Sequence, residues 1–577
     1  MISLHESAVR LVLKGDRAEL DQLDDDLKVR PNGYFYSPRF EQWRVTKGKE
    51  GWDGWLRPLK RLSYREASVL RGRRDEILAV CAMHGFEVDT SGLLPSPFQE
   101  LTLADIPADA IQSPFPLDDY QRQGILRWLR SSIGINQATV SSGKTAMFAG
   151  AAAMIKKRFP AARFLYTTPS ERLVRQAFKS MREFLPGWDI GQFGGGGDNH
   201  EAADMVVSTV AMLNRNRHGL DQINWWRSFM ALLFDECHHC VSPSAERILM
   251  KLPAFFRLGA SDSIKVNDPA KQSTMKGLLG NILGSVAAAP LIESGRLAKP
   301  YIYVESMAQD FGRFDDLGFT ASPGTPAWCL IEENWVKGTY LGPVYAVDED
   351  GKVKMRTRTV VTNVGGRIEK TKVEEPEIES GFHRIEIDGE EHQIESRWCL
   401  LARVYDQAII TYAARNERIV KWVKYYSQRK LPTLVVCTRT LHIFILEAAI
   451  MQAVDPNLVR ICYGWATSKQ RDEAFEWFRT TPGGVLITPL VKEGVSIPEI
   501  RAGVVADYVG DIEVANQIIG RFLRQKSEDN YAEITWFADD QHRALRVGSR
   551  RIIRTFRTQY GYETNEAPNV DQLTLEL

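Results

Sequence analysis

Short apolar runs of strand length, each set apart from the next by a stretch of helical character, occur in two blocks, and no other feature constrains the fold as much. The first block holds Ile135–Val140, Arg163–Thr168, Asp204–Thr209 and Met230–Phe234. The second holds Thr433–Thr438, Gly484–Thr488, Gly503–Ala506 and Ala532–Phe537. Strands joined by long helical crossovers pair in parallel, so each block predicts an α/β unit around a parallel sheet. Between the blocks, Lys352–Val361, Arg367–Val373 and His383–Asp388 alternate with a period of two, around Gly365-Gly366 and Asp388-Gly389. That pattern predicts an antiparallel β insertion. The expected domains are residues 1–100, 110–310, 311–397, 398–541 and 542–577, with prolines 95, 97, 107, 114 and 116 marking a linker after the first.

With 577 residues the chain has material for several cores, and no internal repeat or low-complexity tract interrupts it. The formal net charge is zero, so a polyanionic partner must be met by local patches. No apolar run approaches the ~18–20 residues that span a bilayer, and Met1–Glu6 carries no basic-then-apolar leader pattern. The seven cysteines show no framework spacing. A reduced, cytoplasmic location is expected, in a bacterium or a phage-infected host.

Three segments carry chemistry. Ser141-Ser-Gly-Lys-Thr145 joins a predicted strand to a predicted helix, so backbone N–H groups and a helix N-terminus aim at one point. There Ser142 and Gly143 allow close approach of phosphate, Lys144 neutralises it, and the Thr145 hydroxyl can hold Mg²⁺. Ala138 stands where the general phosphate-loop pattern has its first glycine. Asp235 and Glu236 end an apolar strand; Asp235 suits a Mg²⁺ ion and Glu236 suits activation of a water. Neighbouring side chains on a strand point opposite ways, so a bend must bring both to one site. Cys237-His-His-Cys240 lacks zinc spacing. Late in the chain, Gln517-Ile-Ile-Gly-Arg-Phe-Leu-Arg524 sets Arg521 and Arg524 three apart on an expected helix, two planar donor forks for a γ-phosphate.

In this order the segments resemble those of a superfamily-two helicase, over about 115–305 and 399–540. The resemblance implies two RecA-like lobes, with ATP and Mg²⁺ as cofactors and Lys144, Asp235, Glu236, Arg521 and Arg524 catalytic. Leu117–Gln121 looks like the family's adenine-reading motif, which makes Gln121 the base contact; Gly494 and Gln517 join the nucleotide set. Thr168–Gln176 and Val207–Ala211 resemble strand-contacting motifs, implying contacts from Pro169, Arg172, Ser208 and Thr209. Thr438-Arg439 and Thr488–Pro498 resemble their second-lobe equivalents. Two departures stand out: Ser261-Asp262-Ser263 replaces the usual Ser-Ala-Thr, and Ser496 stands where an aspartate is common.

Asn32–Phe40 followed by Gly51–Arg57 resembles the N-terminal module of phage UvsW-type recombination helicases, which implies a small α+β domain ahead of the motor. The partner so implied is forked or four-way DNA, bound by a monomer; RNA unwinding and an idle nucleotide-sensing clamp are the alternatives. The residues suit DNA in their own right. From Arg39 to Arg74 there are eleven Lys/Arg against four Asp/Glu, interleaved with Trp43, Trp52, Trp55 and Tyr64, and Arg39, Trp52 and Arg57 are the candidate contacts. Arg543, Arg546, Arg550, Arg554 and Arg557 share one helical face, with Arg550 and Arg554 as further contacts.

Overall fold

A computed structural model describes the chain except residues 195–196, 199–201, 263, 265–267, 308–325, 332–333, 346, 348–351, 365–366, 377, 388, 396–404, 490–499, 527–528, 541–542 and 576–577. Two compact units emerge, Met1–Leu297 and Ala298–Leu577.

The first unit opens with a five-stranded sheet in the order β3-β4-β2-β1-β5, from β1 (Ile2–Glu6), β2 (Arg10–Lys14), β3 (Lys60–Arg61), β4 (Glu66–Leu70) and β5 (Val88–Gly92). Only the β1–β5 pairing is parallel. Ile2 and Leu4, then Leu11 and Leu13, alternate into a core closed by Leu20, Leu23, Ile77 and Cys81 from two helices, Arg17–Leu27 and Arg74–Met83. This is the expected small α+β domain. It is anchored on the next sheet through Arg71, 1% exposed, which pairs with the buried Glu6 at 2.5 Å and donates to Ser132 Oγ at 2.9 Å and to the Phe255 carbonyl. Gly72 lies flat on the same seam, where a Cβ would strike the carbonyls of Lys276 and Gly277.

The proline-marked stretch after this domain is irregular but packed, which corrects the linker expectation. Phe98, Ile106, Ile111 and Leu117 enter the main core, and Arg122 donates to the carbonyls of Ile106 and Leu103 at 2.7 and 2.9 Å.

Eight strands follow: β6 (Ile133–Ala138), β7 (Phe164–Thr168), β8 (Ile190–Gly194), β9 (Gly197–Asp198), β10 (Met205–Thr209), β11 (Ala231–Asp235), β12 (Phe256–Ser261) and β13 (Ile282–Val286). Their order is β13-β6-β12-β11-β7-β10-β8-β9, parallel except for β9. Every residue of β7, β10 and β12 is buried, as expected of a sheet covered by helices on both faces. Because β6, β12 and β11 are neighbours, their C-terminal ends place three separate sequence segments side by side.

The second unit begins with β14 (Lys299–Ser306). Next come the insertion strands β15 (Pro326–Ile331), β16 (Asn334–Tyr345), β17 (Met355–Val364), β18 (Arg367–Pro376), β19 (Ile378–Ile387) and β20 (Glu390–Glu395). They form an antiparallel sheet β15-β16-β19-β20 and a hairpin β17-β18, with more and longer strands than the alternation alone marked. The chain then adds β21 (Thr433–Val436), β22 (Val459–Ile461), β23 (Val485–Thr488), β24 (Ala502–Val505), β25 (Tyr531–Ala538) and β26 (Glu563–Glu566).

The second large sheet runs β22-β23-β21-β24-β25-β14-β26, all parallel. Two boundaries shift as a result. The first lobe ends near residue 297 rather than 310, because β14 pairs with β25 over its whole length. Residues 542–577 are not an appendage: β26 pairs with β14, and Leu545, Ile552 and Phe556 of the helix Arg543–Thr558 are buried. No described helix is long and apolar enough to cross a membrane.

Candidate nucleotide site and nucleic-acid interface

The loop from β6 to the helix Lys144–Arg158 holds Ser141 at φ 64° and Gly143 at φ 80°. Left-handed residues two apart curl the backbone so that successive N–H groups converge, a concavity suited to anions. Ser142 is 1% exposed, and its Oγ, like the buried Thr139 Oγ1, has no hydrogen-bond partner among the described residues. An acceptor-rich ligand would satisfy both.

Lys144 Nζ lies 3.4 Å from Glu236 Oε1. Burial works against its charge, but the carboxylates of Glu236, Asp262 and Asp235 outweigh burial and raise its pKa. The bend that two adjacent carboxylates require is present: Glu236 sits at φ 47° and ψ 55°, a left-handed conformation costing a non-glycine residue about 1–3 kcal/mol. Burial, then the Glu236 charge, pushes the Asp235 carboxyl up to about 6. Burial also opposes ionisation of Glu236, yet Lys144 and His238 hold its pKa below the ordinary value.

Of the other residues of this site, Tyr166 had no signal in the sequence, while Ser261 and Asp262 lie in the stretch that departs from the usual Ser-Ala-Thr. Tyr166 donates to Asp235 Oδ2 at 3.0 Å and is also hydrogen-bonded to Thr145, bridging the two candidate Mg²⁺ ligands. Ser261 donates to Glu236 Oε2 at 3.2 Å and stands 2.8 Å from His238 Nδ1, so the end of β12 is tied to the carboxylates of β11. Asp262, a departure in the sequence pattern, is a third acid acting on Lys144. The alternation of β7 and the order of strands bring these groups in, and neither reads as a motif. Cys237 and Cys240 are buried among apolar side chains.

Gln121, the expected base contact, lies against the loop that precedes Lys144. Its amide is already engaged: Oε1 accepts from Asp118 N at 2.9 Å, capping the helix Asp119–Ser131, and Nε2 donates to Ser142 O at 3.0 Å. The Tyr120 hydroxyl donates to the same carbonyl at 2.7 Å. Both residues brace the loop that precedes Lys144.

The candidate strand contacts fall into different environments. Pro169 and Arg172 are half-buried at the end of β7 and the start of the next helix. Ser208 is fully buried and donates to Phe193 O at 2.8 Å, and Thr209 Oγ1 accepts from Met212 N at 3.1 Å. Both hydroxyls are engaged within the fold.

In the second unit Thr438 is exposed, and its N–H donates to the buried Asp507. Asp507 also meets His442 Nδ1 at 3.4 Å and Cys437 Sγ at 3.8 Å, while Asn416 Oδ1 stands 2.9 Å from His442 Nε2. Arg439 lies over the Tyr405 ring. Thr488 is buried, its hydroxyl donating to Cys462 O at 2.9 Å. A cavity of about 180 Å³ opens at the C-terminal ends of β21 and β24, lined among others by Thr438, Pro489, Asp507 and Tyr508. Gly494 and Ser496 lie outside the described residues.

Gln517 and Arg521 sit on the helix Ile512–Phe522, but Arg524 lies beyond it, correcting the shared-helix expectation. Lys526 caps the helix by donating to Phe522 O at 3.1 Å, and Leu523 O accepts from Ala298 N at 2.8 Å, so the backbone turns away. Burial and the neighbouring Arg521 charge push the Arg524 guanidinium down to about 10.

The basic candidates are partly neutralised. Arg57 pairs with Asp24 and Asp53 at 3.1 and 2.6 Å, and Arg550 pairs with Asp540 at 3.0 Å. Arg39 and Arg554 are exposed. Trp52 is half-buried, donating to Trp55 O at 2.8 Å, while Arg30 lies 4.2 Å over the Trp55 ring. Trp43, Trp52 and Trp55 are half-buried, and Tyr64 is exposed.

Residues 114–261 match the family described as "Type III restriction enzyme, res subunit". Human Superkiller complex protein 2 is 30% identical over 153 residues, 26% of this chain and 12% of that protein. The putative DNA 3'-5' helicase Rad25 of Haloarcula marismortui is 26% identical over 193 residues, 33% of this chain and 29% of that protein. The chain thus spans less than a third of each of these relatives' length. The crystal structure of T4 UvsW covers 99% of both chains at 15% identity, with a TM-score of 0.41. Residues 114–261 thus carry a match to the res-subunit family, and segments of the chain are similar to Superkiller complex protein 2 and to a putative DNA helicase.

Proposed function

We propose that this chain is an ATP-driven DNA helicase or translocase that remodels branched DNA, regressing forks and migrating four-way junctions. The observation that carries the ATPase part is Lys144 held among Asp235, Glu236 and Asp262 beside a loop with unsatisfied buried hydroxyls. In this reading the loop and Lys144 take the phosphates, Asp235 and Thr145 hold Mg²⁺, and Glu236 orients the attacking water. Mg²⁺ supplies charge neutralisation on the phosphates when bound. Arg521 and Arg524 are assigned to the γ-phosphate and Gln517 to the same nucleotide. The bond from Ser261 to Glu236 gives a route by which nucleotide state reaches the strand-binding side.

DNA as the substrate is supported by the exposed Arg39 and Arg554 and by the similarity to the putative DNA helicase Rad25. The deciding experiment is ATPase rate without nucleic acid and with single strand, duplex, fork, four-way junction and RNA. Strongest stimulation by forked or four-way DNA is expected. Equal or better stimulation by RNA overturns the DNA assignment. Lys144→Ala should abolish turnover, and retained turnover would remove Lys144 from the site.

A further inference from the structure

Loop 462–467 joins β22 to the helix Ser468–Thr480 and carries the most exposed tryptophan-centred patch among the described residues. Trp465 is 67% exposed, and its ring stacks on Tyr463 at 4.6 Å between centroids and 7° between planes. Phe444, 48% exposed, stands 6.0 Å from Tyr463. Exposed tryptophans are uncommon, because burying one is worth several times the burial of a small apolar side chain. A parallel pair leaving one π face open to solvent is the shape that receives another flat ring.

The loop is built to hold that shape. Cys462 N donates to Ile487 O at 3.0 Å, Thr488 Oγ1 donates to Cys462 O at 2.9 Å, and Arg471 Nη2 donates to Gly464 O at 2.9 Å. The first two bonds attach it to the end of β23, and a Cβ on Gly464 would come within 3.9 Å of Pro489. The platform therefore sits at the C-terminal edge of the sheet, where open α/β sheets bind ligands. It also adjoins the start of the helix Ser468–Thr480, the positive end of a helix dipole, beside the exposed Lys469, which pairs with Glu473 at 3.9 Å. An aromatic face next to positive potential matches a flat base attached to a phosphate.

We propose that Tyr463 and Trp465 form a stacking platform for an unpaired nucleobase of the strand carried by the second unit. This rests on the nucleic-acid reading above, to which it adds a base contact; Phe444 supports the Tyr463 edge. Stacking tolerates every base, so the platform gives affinity without sequence preference.

The test uses the full chain, fluorescence anisotropy and a short oligothymidylate, intact or with one abasic position moved along it. Trp465→Ala is expected to weaken binding about ten-fold and Trp465→Phe much less. One abasic position should weaken the unaltered protein by a similar factor and add nothing to Trp465→Ala. Because the abasic series needs no mutation, it decides the matter even if the alanine variant folds poorly. Unchanged affinity in Trp465→Ala, with single-strand stimulation of ATPase intact, overturns the platform and leaves the motor reading standing. Neither binding nor stimulation in the unaltered protein overturns both. A change of oligomeric state in Trp465→Ala by light scattering overturns the platform in favour of a second copy on this face.

Discussion

Replacing Arg71 by methionine tests how the N-terminal domain is joined to the first large sheet. Arg71 is 1% exposed, its partner Glu6 is wholly buried, and the pair meets at 2.5 Å. Its other donors go to Ser132 Oγ and Phe255 O, at the N-terminal roots of β6 and β12, whose far ends carry the phosphate loop and Ser261. Removing one partner of a buried pair costs about 3–5 kcal/mol because the other charge is stranded. Glu6 keeps two aids, Arg74 at 3.4 Å and Leu94 N at 2.9 Å, which argue for the lower end of that range. For a unit of this size about 3 kcal/mol is a fall of roughly 6 °C in Tm. Urea unfolding of the full chain gives the free energy, and limited proteolysis near residue 95 reports the seam. Glu6→Gln combined with Arg71→Met should cost less than the two single changes added together, by about 2 kcal/mol, because the stranded charge is gone. A loss below 1 kcal/mol in Arg71→Met, or simple additivity in the double variant, would refute the reasoning.

Three further outcomes are expected. Ser261→Ala removes a hydrogen bond to an ionised group, about 1.5–3 kcal/mol, so kcat for ATP should fall at least ten-fold with KM little changed; an unaltered kcat would show that the Glu236 contact is idle. Tyr166→Phe unties Thr145 from Asp235 and should raise the Mg²⁺ concentration for half-maximal ATPase several-fold, measured by Mg²⁺ titration at saturating ATP. Burial holds His442 below its ordinary value of 6.5, so the unfolded chain takes up more protons and the second unit loses stability as pH falls below 6.5. The depressed Asp507 adds a loss of the same sign below its ordinary 3.8. Urea unfolding between pH 7.5 and 5.5 should show this slope, and His442→Asn should flatten it; stability rising toward pH 5.5 contradicts it.

The local rules were legible in the sequence. All eight strand runs named from apolarity lie within two residues of a strand, because a strand buried on both faces must be apolar throughout. The Ser141–Thr145 loop and the Asp-Glu pair stood out as a candidate site because such chemistry requires contiguous residues. Only tertiary structure could decide what lies beside them. Tyr166 is one buried aromatic among many until the β11–β7 pairing sets it against Asp235. Ser261 reaches Glu236, and Asp262 acts on Lys144, because β12 lies between β6 and β11, an order no single segment encodes. β14 leaves the first lobe for the second through pairing with β25, although its own residues would suit either sheet. The same holds for charge. Arg57 and Arg550 read as free cations in a list of residues, and become half-neutral surfaces once Asp24, Asp53 and Asp540 fold against them. Sequence fixes which residues can do chemistry, through propensity and periodicity that act over a few positions. Which of them meet is set by long-range strand order and packing, and those contacts exist only in the folded chain.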